Sequence, residues 1–221
     1  METINPSYYP ASRAAGVAEN YINYKLGSPH RLFQVKQVTE AIKESIPGVG
    51  NKYYLSFVVA DFLNEQPDIK CTAEVLYYLR EQNKAPNVSF TLEREIGNYV
   101  QDKDIAFYNK MKNISQPLVA QDIPDKFGNV SPEMEPVLHL ALVACGHVKW
   151  QHSTEDTYYR MSIIKSVRQL KREDNTLEFH YIMLIHEMVT QEIITWEIHI
   201  LWDPTQGLKI EKEVILPKSN Q

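Results

Sequence analysis

The sequence predicts an α+β fold laid out as one plan used twice, a helix followed by several antiparallel strands. Two observations carry this. Apolar residues recur at helical spacing and then at strand spacing, and that order repeats once along the chain. Corresponding segments also fall at nearly constant offsets. Ser12 and Ser131 stand 119 positions apart, and Cys71-Thr-Ala-Glu-Val stands 123 positions before Ile194-Thr-Trp-Glu-Ile. With 221 residues there is chain enough for two units of about 100 residues.

The first predicted helix starts at Ser12, a good N-cap, with Ala14, Val17, Ala18, Tyr21 and Ile22 at helical spacing. Its small residues, Ala14, Ala15, Gly16 and Ala18, let it lie close to a sheet. Gly27 and Ser28-Pro29 stop it. Strands follow. Leu55, Phe57 and Val59 share one strand face, and Cys71, Ala73, Val75 and Tyr77 share another; Leu32 to Val38 and Val88 to Leu92 are weaker runs. Pro47-Gly48-Val49-Gly50-Asn51 reads as a turn.

The second copy opens near Ser131-Pro132-Glu133. Leu140, Val143, Ala144 and Val148 mark its helix, and Pro136 predicts an irregular first turn. Tyr159, Met161 and Ile163 alternate with Tyr158, Arg160 and Ser162. Phe179, Tyr181, Met183 and Ile185 share a face, as do Trp196, Ile198, Ile200 and Trp202. Asp203 to Gly207 is a turn, and Leu208 to Leu216 forms a last strand. Between the copies, Tyr99 to Lys112 carries Ile105, Tyr108 and Met111 at helical spacing, and Gln116 to Asn129 reads as linker. The expected division is 1–97 for the first domain, 98–117 for a helical linker and 118–221 for the second domain.

Composition narrows function. Hydrophobic residues are 43% and charged residues 23%, as in a packed globular chain, and the net charge of −5 gives no basic face for nucleic acid. The N-terminus has no basic start and no apolar run, and no apolar stretch is long enough to span a bilayer. The expectation is a cytoplasmic protein with reduced, buried Cys71 and Cys145, in which the sequons at Asn87 and Asn113 are chance matches.

No catalytic motif is found, and the reading is of a non-enzyme with no cofactor and no metal. His186-Glu187 opens like a zincin motif, but Thr190 stands where the second histidine is required. His180 and His186 share a strand face about 20 Å apart, too far to share a zinc, and His139 and His147 are two helical turns apart. Glu155-Asp156 reads as a solvated turn. Lys165, Arg168, Lys171 and Arg172 make a locally basic stretch that could draw a sulfated, heparin-like glycan, although Glu173 and Asp174 follow at once.

Several long blocks resemble the latexin family of cystatin-like metallocarboxypeptidase inhibitors. They are Tyr9-Pro-Ala-Ser-Arg-Ala-Ala15, Ala18-Glu-Asn-Tyr-Ile-Asn-Tyr24, Pro29-His-Arg31, Cys71-Thr-Ala-Glu-Val-Leu-Tyr77, Ile123-Pro-Asp-Lys-Phe-Gly-Asn-Val-Ser-Pro-Glu-Met134, Ser153-Thr-Glu-Asp-Thr157 and Gln191-Glu-Ile-Ile194 with Trp196. The resemblance implies two cystatin-like domains, each a helix on a curved antiparallel sheet, joined by a helical linker. It implies inhibition of A/B-type zinc metallocarboxypeptidases, heparin binding and a cytoplasmic location. Relatives that are secreted or anchored carry extra N-terminal sequence, whereas this chain starts directly at its first domain. Cystatins block papain-like proteases with a QxVxG hairpin; the comparable Gln34-Val-Lys-Gln-Val38 lacks that valine and glycine.

The protease-contacting residues expected are His186, Gln191 and Glu192, in the loop His186 to Ile193, with Gln191 nearest the enzyme's funnel. A hairpin holds its tip rigidly, which reduces the ordering cost of binding. The polar tail Leu216 to Gln221 suits an apolar specificity pocket poorly. Thr195 stands where the family has proline, which puts the loop's stiffness in question.

Overall fold

A computed structural model describes residues 1–218. It is an α+β molecule with three α-helices and two antiparallel five-stranded sheets. The first sheet runs β1-β2-β3-β4-β5, from β1 (Glu2–Thr3), β2 (Phe33–Ile46), β3 (Gly50–Asp61), β4 (Ile69–Tyr78) and β5 (Asn87–Leu92), with α1 (Tyr9–Leu26) between β1 and β2. The second runs β10-β9-β8-β7-β6, from β6 (Val119–Ile123), β7 (Tyr159–Leu170), β8 (Leu177–Glu187), β9 (Glu192–Asp203) and β10 (Gly207–Ile215), with α3 (Glu135–His152) between β6 and β7. Each half therefore has the order strand, helix, four strands. α2 (Gln101–Asn113) lies between them. No described helix is long and apolar enough to cross a membrane.

α1 begins three residues before the expected N-cap. Pro10 sits in its first turn, where a missing N–H costs nothing, and Ser12 donates its amide to Tyr8 instead of capping. Gly27 ends the helix, donating to the Asn23 carbonyl at 2.7 Å. Ala11, Ala14, Ala15 and Ala18 are fully buried against the first sheet beside Tyr53, Leu55, Phe57, Cys71 and Val75, as the small-residue face requires. Pro136 likewise occupies the first turn of α3, so that turn is regular.

The phase of β7 departs from the expectation. Bulges at Met161/Ile163 and Ile164/Ser166 shift it, so Ile164, Val167 and Gln169 are buried while Tyr159, Met161 and Ile163 are half-buried. β2 carries two bulges in the same relative place, at Val35/Gln37 and Val38/Glu40. A bulge bends its strand and increases its twist, which lets each sheet wrap its helix. Gln34 to Val38 lies in the first part of β2, opposite Phe57 to Ala60, and the β2–β3 turn is at Pro47–Val49, at the other end of the strand. At the end of that turn Gly50 has φ 150°, and a Cβ there would fall on the Tyr77 carbonyl oxygen.

α2 faces the core with Met111 and Tyr108 of the stripe its spacing suggested, but is rotated so that Phe107 takes the place of Ile105. Phe107 and Met111 enter the core of the second half, with Phe107 5.9 Å from Trp202, and Ile105 is exposed. The bulkier aromatic takes the buried position. Within the stretch read as linker, Val119–Ile123 pairs with β7 as an edge strand.

α1 and α3 pack against each other at backbone distance. A Cβ on Gly146 would lie 2.8 Å from the Asn20 carbonyl oxygen, and one on Gly27 would lie 2.8 Å from Val143. Trp150 stacks on Tyr24, meets Tyr21 edge-on and donates its indole N–H to the Pro86 carbonyl at 2.8 Å. Cys71 and Cys145 are free and buried, and burial pushes the Cys71 thiol up to about 12.

Candidate functional site

β8 and β9 form an antiparallel hairpin without a bulge. Their apolar inner faces, Phe179 to Ile185 and Trp196 to Trp202, fix the register, which runs unbroken from Leu177↔Trp202 to Glu187↔Glu192. Thr195 keeps its place opposite Leu184 without a bulge, and its carbonyl accepts from the Leu216 amide at 2.8 Å. The strand is therefore continuous where a proline was expected. The turn is Met188 to Gln191.

A carboxylate holds this turn. Glu187 continues the inward-facing alternation of Phe179, Tyr181, Met183 and Ile185 and is only 4% exposed. Its Oε1 accepts from the amides of Tyr158 at 2.9 Å and Val189 at 3.1 Å, and its Oε2 accepts from the Thr190 amide at 2.6 Å. Burial works to raise its pKa, but these N–H groups and the Thr190 side chain outweigh it and hold the carboxyl at about 2. Met188 donates back to the Tyr158 carbonyl at 2.7 Å. Thus the tip is tied to β7 as well as to its own strands. Thr190, which stands where a zincin motif requires histidine, is the partner of Glu187 in a turn.

Gln191 is exposed at the tip in a left-handed conformation, φ 61°, and its side-chain Nε2 donates to the Met188 carbonyl at 2.6 Å. Glu192 is exposed and pairs with Lys218 at 2.9 Å. His186 lies on the outer sheet face between Arg160 and Ile193, half-buried. Gln191 and Glu192 thus sit together at the tip, while His186 flanks it. Val189 and Ile193 are also exposed here, apolar contacts that the polar reading of the loop passed over. Lys218 brings the chain end to this tip; residues 219–221 of the tail lie outside the described residues.

Beside the start of β7, at the tip end of the hairpin, a cleft of about 1100 Å³ opens between the halves. Tyr9, Arg13 and Gln34 line it from one half, and Lys149, Tyr158 and Arg160 from the other. Glu155 is not a solvated turn residue. It reaches into the first half, accepting from Tyr53 at 2.7 Å, Asn51 at 2.7 Å and Lys43 at 3.2 Å, while Asp156 pairs with Arg80 at 2.7 Å. Other cross-links are His139 Nδ1 to the Pro29 carbonyl at 2.8 Å and His30 Nδ1 to Asp104 at 2.8 Å. Burial lowers the pKa of His139.

The basic stretch is largely engaged. Lys165 pairs with Asp122 at 2.8 Å, Arg172 with Glu178 at 2.8 Å and with Asp174, and Lys171 donates to the Ser115 carbonyl at 3.1 Å. Arg168 approaches His180 Nδ1 at 3.2 Å.

The latexin family profile matches residues 4–220. Latexin of Mus musculus and latexin of Homo sapiens are each 51% identical to this chain over 218 residues, covering 99% of it and 98% of their own length. Ovocalyxin-32 of Gallus gallus is 31% identical over 213 residues, covering 96% of this chain and 76% of its own. The chain belongs to the latexin family.

Proposed function

We propose that this protein inhibits zinc-dependent metallocarboxypeptidases of the A/B type by laying the β8–β9 tip over the entrance of the active-site funnel. As a member of the latexin family the chain is a protein inhibitor rather than an enzyme. The proposal includes two cystatin-like domains, 1–97 and 118–221, joined by the helical segment 98–117, and a cytoplasmic location.

The observation that carries it is the clamped tip. Gln191 and Glu192 protrude from a turn that Glu187 fixes through three backbone amides. A rigid loop has little conformational entropy left to lose on binding, so more of its contact energy appears as affinity. Exposed Val189, Ile193 and Tyr158 around it supply apolar and aromatic contact area of the kind that dominates interfaces. The adjoining cleft presents side chains from both halves, so an enzyme seated on the tip would touch both.

The test is steady-state inhibition of a pancreatic-type carboxypeptidase A, with papain in parallel. The wild type should inhibit the carboxypeptidase and spare papain. Gln191→Ala combined with Glu192→Ala should raise the inhibition constant about tenfold or more. Unchanged potency of that variant would remove the tip from the mechanism, and absence of carboxypeptidase inhibition by the wild type would overturn the function.

A further inference from the structure

We infer that His180, Glu197 and His199 form a binding site for a divalent transition-metal ion, with zinc(II) as the ion expected. The site lies on the outer face of the second sheet. His180 on β8 and His199 on β9 are direct cross-strand partners, and their ring centroids are 3.9 Å apart. Glu197 lies two residues before His199, so its side chain stands on the same face. His180 Nε2 is 2.8 Å from Glu197 Oε1, and His199 Nε2 is 3.4 Å from the same oxygen. One donor atom from each of the three falls within 4.8 Å of the others, the one such group among the described residues.

These distances suit a metal. Zinc bonds of about 2.0–2.1 Å in tetrahedral geometry put neighbouring donors roughly 3.3 Å apart, so the two histidine–carboxylate distances of 2.8 and 3.4 Å lie within about half an ångström of what zinc needs, and the histidine pair, within 4.8 Å, closes by rotation of the rings. Two imidazoles and one carboxylate make a borderline donor set that suits zinc, copper(II) and nickel(II) better than magnesium or calcium. The scaffold is stiff. The opposite faces of the same strands are the fully buried Phe179, Tyr181, Ile198 and Ile200, which lock the register that pairs the two histidines. The side chains remain 17–24% accessible, so an ion reaches them from solvent and a water completes its coordination.

Two neighbouring cations oppose the ion and give the site a signature. Lys212 pairs with Glu197 Oε2 at 3.0 Å, and Arg168 donates to His180 Nδ1 at 3.2 Å. Arginine can only donate, so in neutral His180 the proton sits on Nε2 and is shared with Glu197. Zinc takes the place of that proton. His180 then binds through Nε2 and carries its remaining hydrogen on Nδ1, where Arg168 must swing away; no net proton leaves the ring. A carboxylate at position 168 would instead accept the Nδ1 hydrogen, the outer partner that metal-bound histidines commonly have.

The experiment is zinc titration of the metal-stripped full chain at neutral pH, in competition with a chromophoric chelator. The wild type should bind one zinc. His180→Asn with His199→Asn should weaken binding at least about 100-fold, and Arg168→Glu should tighten it severalfold. Circular dichroism establishes that each variant is folded. On the unmodified protein, nickel(II) should broaden the ring proton resonances of His180 and His199 before those of His139 and His186. Zinc affinity unchanged in the double histidine variant, or broadening that begins at other histidines, would overturn the site, as would no binding at millimolar zinc. The last result would leave the cluster as a hydrogen-bonded pair around Glu197.

Discussion

Replacing Glu187 by glutamine should loosen the hairpin tip without changing its shape. The carboxylate accepts three backbone amides, two at Oε1 and one at Oε2, in a site that is 4% exposed. Glutamine can present one oxygen to Tyr158 and Val189, but its NH₂ then faces the Thr190 N–H. One charge-assisted bond is lost, about 1.5–3 kcal/mol, and the other two fall to neutral strength, for a total near 3 kcal/mol. The lowered carboxyl pKa points to the same scale. Lowering the carboxyl from 4.5 to about 2 corresponds to roughly 3 kcal/mol of stability at neutral pH. Because the folded-state pKa is the lower one, this stability is present above about 4.5 and is lost as pH falls through about 2. The variant's deficit should therefore shrink across that window. In thermal unfolding near pH 7 the loss amounts to about 6–12 °C if the chain unfolds as one unit. If the tip opens alone, the amides of Tyr158, Val189 and Thr190 should exchange about 100-fold faster. Wild-type melting together with wild-type exchange at those amides would refute the clamp.

Glu155→Ala should cost about 2–4 kcal/mol, because it strips Tyr53, Asn51 and Lys43 of their shared acceptor; a urea melt equal to wild type would refute the latch. Gly146→Ala should destabilise by about 1–2 kcal/mol, since overpacking against the Asn20 carbonyl exceeds the gain in helix propensity; a rise in melting temperature would show that the helices part without cost. Acid unfolding should begin between pH 4.5 and 2 in the second half. Glu187, Glu197 and Glu213, held at about 2, all lie there, and each contributes stability that is lost as pH falls through that range. Residue-resolved exchange that protects the second sheet longer than the first at pH 3 would contradict this.

What the sequence disclosed follows from where the physics is local. Phe179 to Ile185 and Trp196 to Trp202 alternate cleanly because one face of each strand is wholly buried and the other meets solvent. The hairpin between them was legible for the same reason. Continuing the alternation one step would have placed Glu187 on the inner face, the available sign that a carboxylate is built into the turn. Elsewhere the pattern misleads. The second part of β2, Thr39 to Ile46, presents mostly polar residues and follows two bulges, so period two is broken. β1 and β6 are short edge strands with few buried residues, and β6 sits among prolines. Contacts made across the fold leave no local mark. Along its own strand the next histidine after His180 is the distant His186, whereas the ring beside it, His199, comes from the strand opposite.

The pairing of α1 with α3 makes one platform of the two halves. Each sheet buries the inner face of its own helix, which leaves the helices' other faces partly exposed. Gly146 brings those faces to backbone contact at Asn20, Gly27 leaves room for the Val143 side chain, and the aromatic group Tyr21, Tyr24, His147 and Trp150 fills the space beside them. Glu155 adds an acceptor for three side chains of the first half, and it lies in the turn that leads to Tyr158, the residue tied to Glu187. The latch between the halves and the clamp of the tip are thus three residues apart on one chain segment. A change in the relation of the halves at Glu155 would be transmitted to the tip through the Tyr158 amide, so Glu155→Ala should weaken inhibition as well as stability although residue 155 is outside the hairpin. A variant that loses stability and keeps full potency would show that the tip is held by its own strands alone.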